Sequence, residues 1–409
     1  MKKFSIRNVV TKYYAIKESL MATILTIIVT YGVSFIPLKF EFSKAIRQEF
    51  LGFDIYDLYY SGKHLKNSQR DTNIVLIEIG PDRQAIAGQI TRIQNYSPAV
   101  IGVDAVFEKK GVDPLADTRL IETISQYNNI VFASRIDIDK TTKKPVLVRN
   151  FFDNEGHYYP SGYINFLGNQ FSVIRNYPPF YKAGNSVQAF SSAILEKFSP
   201  GKFDTLSGRK KKLEVINYKG NLERYNSISK EQLEYYDTTG QLKEMLTHKI
   251  VLLGYFIKQP PLVMEDLHFS PLNEQISGKS FPDMYGVVIH ANILSMILSN
   301  DHVSQASDFV SYLYASLIIF LFLLYMLSQY KKRMHPHHGK FLLIQFLLII
   351  VVLYVFLQVF NLFGVKVPLL PIMIALVLCV ELLGAYKQLA LWLHKKYHYR
   401  TVFNHKHII

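Results

Sequence analysis

Hydrophobic positions along the chain follow two regimes. In the first, apolar residues run on without relief. Ser19 to Leu38 is twenty residues without a charge, and Phe309 to Ser328 is another twenty. Phe341 to Val365 is twenty-five, and Val367 to Tyr386 is twenty with a single charge, Glu381. A helix rises about 1.5 Å per residue, so twenty residues cover about 30 Å, the thickness of the bilayer hydrocarbon. A soluble helix of that length keeps a polar face. The pattern therefore predicts four transmembrane helices, one N-terminal and three C-terminal. The first reads as an uncleaved anchor. Its apolar run is too long for a signal peptide, and Phe35-Ile36-Pro37-Leu38 is not a small-residue cleavage site.

The second regime lies between the first two spans. Short apolar runs predict buried strands at Ile74–Ile79, Val100–Phe107, Ile130–Arg135, Leu213–Tyr218 and Lys249–Gly254. Continuous β-branched runs suit a parallel sheet covered on both faces. Between the first three runs, Ile86, Ile90 and Ile93, then Leu120, Ile121 and Ile124, recur at helical spacing. Strand–helix–strand–helix–strand predicts an α/β domain with a mainly parallel sheet. Residues 150–183, rich in Gly, Pro, Tyr and Phe, read as an irregular insertion with a hairpin. Val187–Phe198 and Val287–Ser299 read as further helices, the second leading almost directly to the span at Phe309.

Charge orients this arrangement. The chain carries 46 Lys+Arg against 32 Asp+Glu, a net +14 that by itself suggests nucleic acid. Residues 1–18 hold Lys2, Lys3, Arg7, Lys12 and Lys17 against Glu18. The 329–340 loop holds Lys331, Lys332, Arg333 and Lys340, and the tail 387–409 holds Lys387, Lys395, Lys396, Arg400 and Lys406. These three segments contain +13 of the +14 and alternate with the spans. That is the positive-inside pattern. It predicts a cytoplasmic N-tail (1–18), spans at 19–38, 309–328, 341–360 and 367–386, an outside domain at 39–308 and a cytoplasmic tail at 387–409. Nucleic acid drops out as a partner, and the basic residues are expected to meet anionic lipid. A single cysteine excludes disulfide frameworks, iron–sulfur clusters and multi-Cys zinc sites.

In open parallel sheets, ligands bind at the carboxyl ends of the strands. Gly80-Pro81-Asp82, Asp104, Asn217-Tyr218 and Gly254 end four of the expected strands. Asp266 and His268 lie in the next loop, and His290 and Asn292 start the last helix before the membrane. Each has a plainer reading. Asp82 suits a helix N-cap. Asp104 in an apolar strand needs a partner, and a structural network and a ligand site both satisfy that. Asn217 has backbone to bond, and His268 and His290 suit packing. Asp266, His268 and His290 follow no metal-ligand spacing rule, so no metal and no cofactor are expected. Neither G-x-S-x-G, H-E-x-x-H, a P-loop nor G-x-G-x-x-G occurs. His335, His337, His338, His394 and His398 read as solvated or headgroup-facing, and Arg209–Lys212 as a solvated loop tip. Glu381, inside the fourth span, suggests a proton relay or a structural carboxylate reached by water or Lys387.

IVLIEIG, VIGVDAVF, INYKG, KIVLLG, DLHFSP and YGVVIHAN occur in that order between one membrane helix and three. The chain thereby resembles the type-2 CHASE family, the cyclase/histidine-kinase-associated sensing extracellular domains of bacteria, over about residues 50–305. The resemblance implies an extracytoplasmic sensory domain in a bacterial inner membrane. It carries Asp104, Arg175, Asn217, Tyr218, Asp266, His268, His290 and Asn292 over as polar positions of the family pattern. The stretch NQFSVI precedes Arg175 in place of an acidic Asp-Gly turn, and Tyr285 and Val288 stand where Pro and Glu are usual. Family members usually continue into an output domain; only 23 residues follow the fourth span here.

The expected function is a non-enzymatic sensor or adaptor. Its outside domain binds a small molecule or an envelope component and signals through the helix bundle to a separate cytoplasmic or membrane partner. The rival is a structural subunit of an envelope complex, favoured by seven Tyr/Phe between Phe151 and Phe171 if these are exposed. A third is an outside hydrolase using Asp104, Asp266 and His268. The lipid bilayer is an expected partner, and a homo-oligomer is left open.

Overall fold

The computed structural model describes residues 6–34, 54–64, 70–156, 158–167, 172–257, 266–273, 281–330 and 338–404. The chain divides into two compact units, residues 1–47 with 304–409, and residues 48–303. The expectations for His335, His337, Phe171, the 39–50 stretch and the residues around Lys331 lie outside the described residues.

In chain order, the apolar helix α1 (Ile6–Ser34) is followed by α2 (Asp57–His64), β1 (Asp71–Glu78), α3 (Arg83–Gln94) and β2 (Val100–Val103). Then come α4 (Pro114–Ser125), β3 (Ile130–Ile138), β4 (Pro145–Val148), β5 (Ser161–Tyr163), β6 (Asn176–Tyr177), β7 (Phe180–Ala183) and β8 (Asn185–Gln188). Next are α5 (Phe190–Phe198), α6 (Pro200–Gly208), β9 (Glu214–Val215), β10 (Tyr225–Ile228), α7 (Lys230–Thr238), α8 (Leu242–Leu246) and β11 (Ile250–Gly254). The short ladder β12 (Leu267–His268) with β13 (Met284–Tyr285) leads into α9 (Gly286–Leu298). Finally β14 (Ser304–Gln305), α10 (Asp308–Tyr330), α11 (His338–Phe363), β15 (Val365–Lys366) and α12 (Leu370–Tyr397) complete the chain.

The unit of residues 48–303 is built on one sheet in the order β10-β1-β11-β2-β3-β4, with β5 also paired to β3. Every pairing is parallel except β3 with β4. Alternation along the strands explains the layers. Val75, Ile77, Ile101, Val103, Val251 and Leu253 pack with Ile86, Ile90, Leu120, Ile124, Leu233 and Leu246 from the helices of one face. Ile74, Leu76, Gly102 and Leu252 face the other way, toward α5 and α9. Gly102 is required there, because a Cβ would lie 2.6 Å from Ile194 Cδ1. Asp82 caps α3, accepting a hydrogen bond from the Ala85 N–H at 2.8 Å.

Three expectations change. The Val100–Phe107 run is a strand only to Val103; beyond it the chain becomes a loop that carries Asp104. The Leu213–Tyr218 run contributes only β9, which pairs antiparallel with β6 and not with the main sheet. The edge of the parallel sheet is taken by Tyr225-Asn226-Ser227-Ile228. An edge strand is bonded on one side only, so it needs no continuous apolar run. In the aromatic insertion, Phe151, Phe152 and Tyr163 are core residues, Tyr159 and Phe166 are partly buried, and Tyr158 is exposed.

The other unit contains four helices long and apolar enough to cross a membrane, Tyr13–Val33, Asp308–Gln329, Gly339–Phe363 and Leu370–Tyr397. Helix α1 packs on α10 and α12 through a small and polar stripe of Ser19, Ala22, Thr23 and Thr26. The Ser19, Thr23 and Thr26 hydroxyls donate to their own helix's carbonyls four residues back. They are thereby satisfied in an apolar setting and let backbones approach. Glu18, expected in the cytoplasmic N-tail, is buried in this unit. The Tyr386 hydroxyl donates to Glu18 Oε2 at 2.5 Å and lies 3.4 Å from the Tyr399 hydroxyl. Lys17 Nζ stacks 3.8 Å over the Tyr399 ring and donates to the Arg400 carbonyl at 3.3 Å. Residues 399–404 are thus folded back, with Thr401, Val402 and Phe403 buried. Glu381 lies on the exposed face of α12. Backbone bonds from Ser304 to Gly364 (2.9 Å) and Ala306 to Lys366 (2.8 Å) tie the start of α10 to the α11–α12 connection.

Candidate functional site

The eight polar positions singled out in the unit of residues 48–303 separate into two groups. The first group is satisfied by the chain itself. The partly buried guanidinium of Arg175 grips Asp57 on α2 through two bonds, Nε to Oδ1 at 2.9 Å and Nη2 to Oδ2 at 2.5 Å. Burial raises the Asp57 carboxyl above its usual range even against this partner. Tyr218, fully enclosed, donates to the Ile174 carbonyl at 2.7 Å. Asn217 Nδ2 donates to the Asp301 carbonyl at 3.1 Å, and Lys219 pairs with the Asp301 carboxylate. Asn292 Oδ1 accepts from the Lys219 N–H at 2.7 Å and the Gly220 N–H at 3.3 Å, while its amide donates to the Gly220 and Val288 carbonyls at 2.9 Å each. All four side-chain hydrogen-bonding positions of Asn292 are used. Asn217 and Tyr218 follow β9, so they do not share the carboxyl edge of the parallel sheet.

The second group is Asp104, Asp266, His268 and His290. Asp104 follows β2, and its N–H extends the ladder to the Leu253 carbonyl at 2.8 Å. Its side chain is partly exposed. Burial, reinforced by the like charge of Asp266, pushes its carboxyl up to about 8. Asp266 adopts a left-handed backbone (φ 61°), and its carbonyl accepts from the Gly286 N–H at 3.3 Å. Its carboxylate rests on the first turn of α9: a Cβ on Gly286 would lie 3.2 Å from Asp266 Oδ2. Glycine makes that approach open, and the helix terminus favours the negative charge.

His268 Nε2 is 3.6 Å from Asp266 Oδ1. The register of β12 on β13 holds it, and the loop behind it is fixed by Asp283, which accepts from the Ser270 N–H and hydroxyl at 2.8 and 2.5 Å. His290 is 3% exposed and its Nδ1 has no hydrogen-bond partner. Burial, with His268 nearby, pushes its imidazole down to about 3. Its ring packs on Phe166 (4.9 Å between centroids, 32°) and against the edge of Phe190 (5.2 Å, 80°). Phe166 also meets the His268 ring edge-on at 5.1 Å. Gly80 and Gly254, also expected at this edge, are closed off. Gly80 donates to Gln89 Oε1 at 2.8 Å, and a Cβ on Gly254 would sit 2.6 Å from Val287 Cβ.

Sequence reasoning missed Phe166, which bridges the two histidines; its only signal was the aromatic richness of the insertion. Asp57 and Asp283 had none, because their partners are fixed by tertiary contacts. No group of three or more metal-ligating side chains stands together among the described residues. The carboxylates and imidazoles can accept hydrogen bonds and neutralise positive charge, and the Asp266–His268 separation exceeds a hydrogen bond.

Compared with known proteins, residues 38–328 match the family model described as CHASE2 domain. No curated protein and no solved structure matches the chain.

Proposed function

We propose a sensory function for this chain, which belongs to the CHASE2 family of extracellular sensory domains: the domain outside the membrane binds a ligand at Asp104, Asp266, His268 and His290. One observation carries this reading. Arg175, Asn217, Tyr218 and Asn292 are satisfied by the chain, whereas the second group holds an unpartnered buried nitrogen on His290 and, in Asp104, a carboxyl raised by burial with no side-chain partner among the described residues. Buried polar groups are normally paired, and perturbed titratable groups gather at functional sites. The role is binding rather than catalysis, without a cofactor, in the inner membrane with the domain on the periplasmic side.

Transmission runs through α9. His290 and Asn292 sit on one buried helix of thirteen residues. Asn292 holds the 219–220 backbone, and Asn217 and Lys219 hold Asp301, seven residues before α10 begins at Asp308. A ligand that displaces His290 therefore pulls on the exit toward the membrane. To signal, the bound and free states must differ in bundle geometry. A separate cytoplasmic or membrane partner then reads the bundle.

The test is disulfide crosslinking between cysteines placed in α1 and α12, in a Cys379→Ser background, in membranes of wild type, Asp104→Asn and His290→Phe. Altered crosslinking in the variants supports transmission from this cluster. Identical crosslinking in all three, with and without envelope extract, removes the sensory reading.

A further inference from the structure

We propose that residues 399–404 form a latch at the output end of the chain: closed, they sheath an apolar segment against α12, and they open when α1 turns or slides against that helix. The proposal goes beyond the ligand reading and holds whatever the α/β domain binds. Three observations carry it.

The first is how α12 builds the turn. His398 ends the helix in a left-handed backbone (φ 55°), with its N–H on the His394 carbonyl at 3.0 Å, and the chain reverses there. The Tyr399 carbonyl can only accept, so His394 Nδ1, 2.7 Å away, carries the proton. In the neutral ring Nε2 then accepts from the Asn404 amide at 2.6 Å. One imidazole thus ties both ends of the turn. Between them Thr401, Val402 and Phe403 are buried, and the Phe403 ring meets that of Tyr386 edge-on at 6.3 Å.

The second is that a different helix closes it. Lys17 Nζ lies 3.8 Å over the Tyr399 ring and donates to the Arg400 carbonyl at 3.3 Å. The next residue of α1, Glu18, accepts from the Tyr386 hydroxyl at 2.5 Å, and that hydroxyl lies 3.4 Å from the hydroxyl of Tyr399. Two consecutive residues of α1 therefore address one turn that belongs to α12. Turning α1 by one residue, about 100°, carries both off that face together.

The third is that the closed arrangement is not fully satisfied. Glu18 is fully buried, and its Oε1 has no hydrogen-bond partner. Buried polar atoms are normally paired, so closure leaves a cost that opening relieves. The segment itself reads Tyr-Arg-Thr-Val-Phe, β-branched and aromatic residues that favour extended strand, yet it is held here outside any strand. Open, it presents Tyr399, Val402 and Phe403 as a surface that a protein partner can bury.

The experiment measures maleimide labelling of Val402→Cys in full-length protein in nanodiscs, in a Cys379→Ser background. Tyr397→Cys, on the exposed side of α12, is the accessible control. A buried thiol reacts through the open fraction, so its rate reports the latch. Lys17→Met should speed Val402→Cys labelling about tenfold, and Lys17→Arg should restore most of the protection, with Tyr397→Cys unchanged throughout. Coupling must also run backwards: Phe403→Asp, which forces the turn open, should alter crosslinking between cysteines placed in α1 and α12. Should Val402→Cys by itself label as fast as Tyr397→Cys, Thr401→Cys takes its place as the buried reporter. Labelling that Lys17→Met leaves unchanged overturns the proposal, because α1 then does not hold the turn. Crosslinking that Phe403→Asp leaves unchanged overturns it too, because the turn then does not report the position of α1.

Discussion

The opposing shifts of Asp104 and His290 predict a pH dependence that is hidden in the wild type and exposed by single substitutions. His290 is pushed down to about 3. Below pH ~6.5 the unfolded chain takes up a proton that the folded imidazole refuses, so stability is lost as pH falls. Asp104 is pushed up to about 8. Between pH ~3.8 and that value the folded chain holds a proton that the unfolded chain releases, so stability is lost as pH rises. One proton is worth about 1.4 kcal/mol per pH unit. From pH 6.5 to 5, His290 costs about 2 kcal/mol and Asp104 returns about the same, so the two cancel. Asp104→Asn removes one slope. Relative to wild type, it should gain about 3 kcal/mol between pH 5 and 7.5, with solvent screening at its exposed edge trimming the figure. His290→Phe removes the other, and should gain about 2 kcal/mol relative to wild type on acidification from pH 6.5 to 5. The assay is urea unfolding of the α/β domain in full-length protein, followed by tyrosine fluorescence at each pH. Differences from wild type cancel the other titrating groups. Difference curves that stay flat across this range, or that slope the same way in both variants, refute the placement of these two groups.

Three further outcomes follow from named contacts. Asn292→Ala leaves the Lys219 and Gly220 N–H groups and the Gly220 carbonyl without this partner, and should cost about 3–5 kcal/mol in urea unfolding; a cost below about 1 kcal/mol would mean water replaces the amide. Arg175→Ala strands the Asp57 carboxylate and should cost about 3–5 kcal/mol, with Arg175→Lys failing to restore the two-bond grip. The double variant Asp57→Ala, Arg175→Ala should cost less than the two single variants together. Tyr386→Phe removes the hydrogen bond to Glu18 and should loosen the 399–404 turn, read as faster maleimide labelling of Val402→Cys in a Cys379→Ser background; unchanged labelling would show that Lys17 and packing hold the turn without it.

The expected rivals read differently against the structure. The aromatic insertion motivated a docking surface, but Phe151, Phe152 and Tyr163 are spent on the core. The hydrolase reading required Asp104, Asp266 and His268 within hydrogen-bond reach; Asp266 and His268 stand 3.6 Å apart, and Asp104 bonds to neither.

Local pattern was enough for whatever depends on local chemistry. Four apolar runs, the buried strands at 74–78 and 250–254, the helices with isoleucine at helical spacing and the Asp82 cap were all legible, because neighbouring residues set them. Polar satisfaction is not local. Asn292 is completed by backbone 72 and 73 residues away, Asp57 is gripped by an arginine 118 residues away, and one oxygen of Glu18 accepts from a tyrosine 368 residues away. Only tertiary structure could therefore decide which of eight similar polar positions are spent on the fold. The same limit explains Glu18 and Glu381. Sequence put the first in a charged tail and the second inside a span; Glu18 is buried within the apolar helix Tyr13–Val33, while Glu381 stays within Leu370–Tyr397, on the helix surface. Sequence determined that a chain of this kind carries an α/β domain beside four apolar helices. Tertiary structure decided that Arg175, Asn217, Tyr218 and Asn292 are spent on holding it together, because a hydrogen bond exists only once both partners have been brought together.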